Sequence, residues 1–196
     1  MISVLEITAT VSGFLGAFLA VRANIWNWFF GILTVSLHFF LFFRVKLYAD
    51  MGLQLIYFGY QFYGLYQWLY GNENKTALTI RNLTPMLLYR VLFINFMLFF
   101  LLSFILYYYT DSTTIYIDSF TTAVSLIAQW MMCKKYLENW WSWMLVNIIS
   151  VDMYINKHLY FTAILFSVLF ILCIFGYCTW RKKFLEIKIN TQCGAK

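Results

Sequence analysis

Charge is scarce in this chain. Only 8 acidic and 14 basic side chains are spread over 196 residues, 11% of the total, while 63% are hydrophobic. A soluble domain of this length cannot hide so much apolar surface, so lipid is the expected solvent. Proline is nearly absent, Pro85 being the only one. Apolar runs of about 20 residues therefore pass without a breaker and read as membrane-spanning helices. No glycine-rich loop ends in Lys-Ser or Lys-Thr, which argues against direct use of ATP. Gly-x-Ser-x-Gly is missing too. The two histidines, His38 and His158, lie far apart, and neither belongs to a His-Glu-x-x-His zinc helix. Cys133, Cys173, Cys178 and Cys193 show no metal-ligand spacing. With no cluster of acids, bases or metal ligands, neither enzymatic activity nor a cofactor is expected.

What is present is a series of seven apolar segments. They predict an all-α membrane protein with spans at Val4–Val21, Ile25–Phe43, Asp50–Leu69, Met86–Tyr108, Ile115–Cys133, Trp140–Ile155 and Leu159–Trp180. The first run lacks the basic flank of a signal peptide and is long enough to span. Pro85 opens the fourth span, where its missing amide proton costs little.

The segments repeat. Asn24-Ile25-Trp26-Asn27-Trp28 matches Asn139-Trp140-Trp141-Ser142-Trp143 at an offset of 115 residues. Leu47-Tyr48 matches Leu159-Tyr160, and Tyr63-Gly64-Leu65-Tyr66-Gln67-Trp68 matches Phe175-Gly176-Tyr177-Cys178-Thr179-Trp180, both at 112. The expected plan is 3+1+3: repeat one over about 4–69, a linker helix over about 86–108, and repeat two over about 115–180. Together they form a single transmembrane domain, 1–180, followed by a basic cytoplasmic tail, 181–196. An odd linker makes the two repeats parallel, and a site between such repeats near mid-membrane is how transporters are built. Superposition is expected to bring Trp28 onto Trp143 and Gly64 onto Gly176.

The basic residues are unevenly placed. Arg22, Lys75, Arg81, Arg90, Lys134, Lys135 and the five from Arg181 to Lys196 fall on the side of the C-terminus, against only Arg44, Lys46 and Lys157 on the other. Positive charge marks the cytoplasmic side, so the expected orientation is N-terminus outside and C-terminus in the cytoplasm. The net charge of +6 reads as topology and headgroup contact, with no nucleic-acid partner.

Polar residues inside the spans point to a site. On the third span, Asp50, Gln54, Tyr57, Gln61, Gly64 and Trp68 share one helical face. Trp140, Trp143, Asn147, Ser150 and Tyr154 do so on the sixth, and Asp118, Thr122, Ser125 and Gln129 on the fifth. Polar stripes are costly against lipid and belong against a bundle interior or a wet cavity. The expected binding set is Gln54, Tyr57, Gln61, Gln129, Trp140, Trp143, Asn147 and Ser150. Single amides in a span also serve as interhelical glue. An interfacial belt accounts for Trp26, Trp68, Trp141 and Trp180. Asp50, Asp118 and Asp152 sit near outer span ends, where headgroup solvation accounts for them and proton coupling is the alternative. A pocket of amides, hydroxyls and aromatics without buried charge suits a neutral or cationic, ring-containing solute rich in hydroxyls.

Three stretches carry a resemblance: Trp26-Asn27-Trp28 through Leu47-Tyr48-Ala49-Asp50, Tyr63 through Trp68, and Leu137-Glu138-Asn139-Trp140-Trp141-Ser142-Trp143-Met144-Leu145-Val146-Asn147. In these the chain resembles the Pnu-type vitamin transporters over about residues 10–183. The resemblance implies a seven-helix core like that of the SWEET sugar carriers, a homotrimer in the inner membrane, and facilitated diffusion of a vitamin precursor. It implies nicotinamide riboside as the solute, trapped afterwards by cytosolic phosphorylation, with thiamine or another vitamin as the alternative on the same scaffold. It also implies that Trp143, Asn147 and Gln54 contact that solute. A membrane enzyme or structural subunit is the reading outside transport.

Overall fold

The structure, a computed structural model, describes residues 2–44, 46–72, 75–109, 114–156 and 158–193. Lys157 and Lys196 lie outside them. Seven helices follow one another: α1 (Ile2–Val21), α2 (Trp26–Arg44), α3 (Tyr48–Tyr70), α4 (Pro85–Tyr109), α5 (Ile115–Cys133), α6 (Asn139–Asn156) and α7 (Tyr160–Cys193). Six bounds pairs agree with the apolar runs to within a turn. The seventh does not: α7 continues past Trp180 to Cys193, because neither proline nor glycine interrupts 177–193. The basic stretch expected as a separate tail therefore starts as an extension of the helix.

Among the described residues, α1, α2, α4 and α7 are long and apolar enough to cross a membrane. The remaining three, α3, α5 and α6, are the ones that carry the polar stripes. Packing explains how they are accommodated. Each of α1, α2, α3, α5, α6 and α7 packs on the next in that order, and α7 returns to α1, while α4 leans on α5 from outside. The polar faces are thereby turned inward, and α4 keeps most of its aromatic surface exposed.

The turns reveal the internal register. Ala23 (φ 54°) and Lys135 (φ 53°) follow α1 and α5, and Lys46 (φ 61°) and His158 (φ 58°) follow α2 and α6. Each closes its helix with the same pair of bonds. The amide of Asn24 reaches the Leu19 carbonyl and that of Ala23 reaches Ala20, just as Tyr136 reaches Met131 and Lys135 reaches Met132. Leu47 to Phe42 with Lys46 to Phe43, and Leu159 to Tyr154 with His158 to Ile155, complete the set. These are left-handed helix caps of the kind glycine usually provides, here without glycine, and partners lie 112 residues apart throughout.

Side-chain packing obeys the same offset and corrects the tryptophan match. A Cβ on Gly64 would strike the Trp28 ring, 2.5 Å from Cζ2, and one on Gly176 would strike the Trp140 ring, 2.6 Å from Cε3. Glycine is required at both positions so that an indole can approach the helix this closely. Trp28 thus corresponds to Trp140, not to Trp143, while Gly64 corresponds to Gly176 as expected. The match at 115 followed local identity in a tryptophan-rich stretch; contact geometry decides against it.

Two belt assignments also change. Trp26 and Trp141 are exposed, 59% and 57%, as an interface belt requires. Trp68 and Trp180 are buried, because each indole N–H finds a carbonyl: Met132 for Trp68 (3.1 Å) and Ala20 for Trp180 (3.0 Å). Trp28 packs edge-on against Trp68 at 5.2 Å, Trp140 against Trp180 at 5.4 Å, and the two pairs meet where Trp68 lies 5.9 Å from Trp180.

The loop after α3 straps this end. Leu78 and Ile80 are buried, Arg81 exchanges backbone bonds with Lys135 and Leu137, and Glu138 accepts from the Leu83 amide (3.0 Å). Lys135 donates to the Leu78 carbonyl (2.7 Å) above the Trp68 ring. Burial, with Lys183 nearby, pulls its pKa down to about 8. Lys183 itself donates to the Arg22 carbonyl (2.7 Å), so basic side chains gather at the end where α1, α3, α5 and α7 meet.

Candidate functional site

Inside the ring of helices is a cavity of about 430 Å³, within the size range of small-molecule sites. Its floor is the tryptophan cluster: Ala20, Met132 and Trp140 line it, and the carbonyls of the first two hold Trp180 and Trp68. From there it rises past Trp143 and Asn147 on α6, Gln61 on α3 and Gln129 on α5 to His38 on α2 and Phe166 on α7. No lysine, arginine or carboxylate is among the described lining residues.

Of the residues expected from the stripes, Gln61, Gln129, Trp140, Trp143 and Asn147 are brought together here. Gln54, Tyr57 and Ser150 are not among the lining residues. Tyr57 lies against Ser125 of α5, and Ser150 is buried away from the cavity. A stripe marks a face, and α3 divides its face between the cavity and α5. Asp50 and Asp152 are exposed, Asp152 receives Asn156 (3.3 Å), and Asp118 receives the Thr114 hydroxyl (2.9 Å). None of these carboxylates lines the cavity.

The polar groups present are oriented. Asn147 gives one amide proton to Cys173 Sγ (3.4 Å), which fixes the plane of the amide. His38 Nδ1 donates to the Thr34 carbonyl (3.0 Å); a carbonyl only accepts, so in the neutral ring Nε2 is left as an acceptor. Two lining residues hold buried atoms without a protein partner: Asn27 Oδ1, an acceptor, and Trp140 Nε1, a donor. An unmet buried polar atom costs about 1–3 kcal/mol. The cavity wall thus combines aromatic faces, amides and one imidazole; among the described residues no three His, Cys, Asp or Glu gather into a metal site.

Sequence reasoning passed over α2. Asn27, Gly31, Thr34 and His38 line the cavity at 4-3-4 spacing, the same signal that marked α3 and α6. Gly31 interrupts that stripe with a residue that carries no polar side chain.

Comparison with known proteins agrees with this architecture. The profile of a family described as "Nicotinamide mononucleotide transporter" matches residues 3–182. The nicotinamide riboside transporter PnuC of Escherichia coli (strain K12) is 28% identical over 91% of this chain and 85% of its own length. The PnuC of Neisseria mucosa is 28% identical over 89% of this chain and 70% of its own. A crystal structure of the vitamin B3 transporter PnuC superposes with a TM-score of 0.73 at 26% identity, covering 92% of this chain and 81% of that one. With nearly its whole length inside that profile and its helices arranged as in a solved relative, this chain belongs to the nicotinamide mononucleotide transporter family of multi-pass membrane proteins.

Proposed function

We propose that this chain carries nicotinamide riboside across the cytoplasmic membrane by facilitated diffusion. The observation that carries the reading is the composition of the cavity wall: two indoles, four amides and no fixed charge. Nicotinamide riboside is an aromatic cation with a carboxamide and a neutral ribose. The Trp143 face suits its ring, a cation–π contact contributing about 0.5–2 kcal/mol. Asn147, Gln61 and Gln129 suit the carboxamide and hydroxyls, and such a site rejects analogues that leave its polar groups unmatched. The family's description speaks of the mononucleotide, but a phosphate buried among these residues would meet no lysine or arginine. We therefore favour the riboside, the solute in the names of the relatives.

In this reading the site residues are Trp143, Asn147, Gln61, Gln129 and Trp140. Two parallel three-helix repeats, 4–69 and 115–180, flank α4 as linker in a SWEET-like plan, and the chain works as a trimer with its N-terminus outside. The carrier needs no energy source of its own, since phosphorylation in the cytosol prevents return. Calorimetric titration of the purified protein with nicotinamide riboside, its mononucleotide, thiamine and riboflavin tests it. Binding of the riboside but not the mononucleotide is expected, and tight binding of the mononucleotide would overturn it. Thiamine is the second reading, because it too is an aromatic cation suited to Trp143; lacking ribose, it should tolerate Gln61→Ala.

A further inference from the structure

The two halves of the cavity are not alike. At the 112-residue offset that relates Trp28 to Trp140, Trp143 corresponds to Gly31 and Cys173 to Gln61. Where α6 presents an indole, α2 presents no side chain. The vacated space is filled: a Cβ on Gly31 would lie 2.7 Å from Gln61 Cδ and 3.1 Å from Nε2, with Oε1 nearer still. The Gln61 amide lies directly on the bare backbone of α2. It is 8% exposed, lines the cavity, and meets no hydrogen-bond partner among the described residues. Across the cavity the Asn147 amide is held differently, by Cys173 Sγ.

We infer that Gly31 is a positioning residue for solute selection: its missing side chain seats the Gln61 amide in the cavity wall, opposite Trp143. This rests on the transport reading above and adds a polarity to the site. The ring of the solute stacks on the α6 side, and its hydrogen-bonding end faces Gln61 on the α2–α3 side. Any side chain at position 31 displaces the amide, and because the displaced group is the end of a flexible chain, the helices need not separate.

The test is a double-mutant cycle in the purified full chain with Gly31→Ala, Gln61→Ala and their combination. Gly59→Ala is the control, since its Cβ would meet nothing within 4 Å. Gly31→Ala is expected to weaken nicotinamide riboside binding by about tenfold, as Gln61→Ala does, with no further loss in the double variant. In ligand-free protein, Gly31→Ala should lower the melting temperature only where Gln61 is present; without Gln61 the better helix former is neutral or stabilising. If Gly31→Ala alone does not fold while the double variant does, the clash with Gln61 is shown directly. Unchanged binding in Gly31→Ala, or an equal loss on the Gln61→Ala background, overturns the inference. A wild-type protein that binds no nicotinamide riboside overturns the substrate reading and the binding half of this inference, and the melting temperatures then decide the seating by themselves.

Discussion

Trp68 and Trp180 lean together with ring centroids 5.9 Å apart, and each gives its indole proton to a carbonyl on a helix of the opposite half: Trp68 to Met132 of α5, Trp180 to Ala20 of α1. Both donors and both acceptors are separated by the same 112 residues. The contact is reciprocal, so one interaction is made twice, tying α3 to α5 and α7 to α1 beneath the cavity.

The glycines under this cluster give the first prediction. Gly64→Ala and Gly176→Ala each force a methyl into a buried indole, Trp28 or Trp140. Overpacking of this kind costs about 1–3 kcal/mol, and the two losses should be similar because the sites correspond. Gly59→Ala should be neutral or slightly stabilising. Thermal unfolding in detergent measures all three; a large difference between the Gly64 and Gly176 variants would break the correspondence.

The helix caps give the second. Ala23 holds φ 54°, a conformation that costs a non-glycine residue about 1–2 kcal/mol. Ala23→Gly should raise the melting temperature, by an amount corresponding to at most about 1 kcal/mol after the extra chain entropy of glycine is counted. Ala23→Val should lower it, since a branched side chain tolerates that backbone worst. Equal losses in both variants would show that the cap is not strained.

Solute binding is the third. Trp143→Ala removes the stacking face and Asn147→Ala removes an oriented amide. Each should weaken nicotinamide riboside binding by about 1–3 kcal/mol, roughly five- to 150-fold. Trp141→Phe should leave it unchanged, since Trp141 is exposed and packs on Tyr177 outside the cavity. Calorimetric titration decides, and impairment confined to Trp141→Phe would mean that the wrong face of α6 has been assigned to the solute.

Orientation is the fourth. A reporter fused after Lys196 should report from the cytoplasm and one fused before Met1 from outside, given the crowding of basic residues at one end. Two termini on one side would contradict seven spans.

The class of this protein and most of its helices follow from the chain alone. Long apolar runs in a charge-poor sequence have one stable form in lipid, and that form needs no knowledge of neighbours. The polar faces of α3 and α6 were legible for the same reason, since helical spacing is a local property. Which of those polar residues meet one another is not local. Gln61 reaches the cavity and Gln54 does not, because helix packing divides one face between two surroundings. The alignment of the halves was likewise undecided by identity, as Trp140, Trp141 and Trp143 all compete for Trp28; only the glycine beneath each indole chooses. The contribution of α2 was hidden because its key residue, Gly31, acts through the side chain it lacks, and the value of an empty space is set by what the tertiary structure puts there.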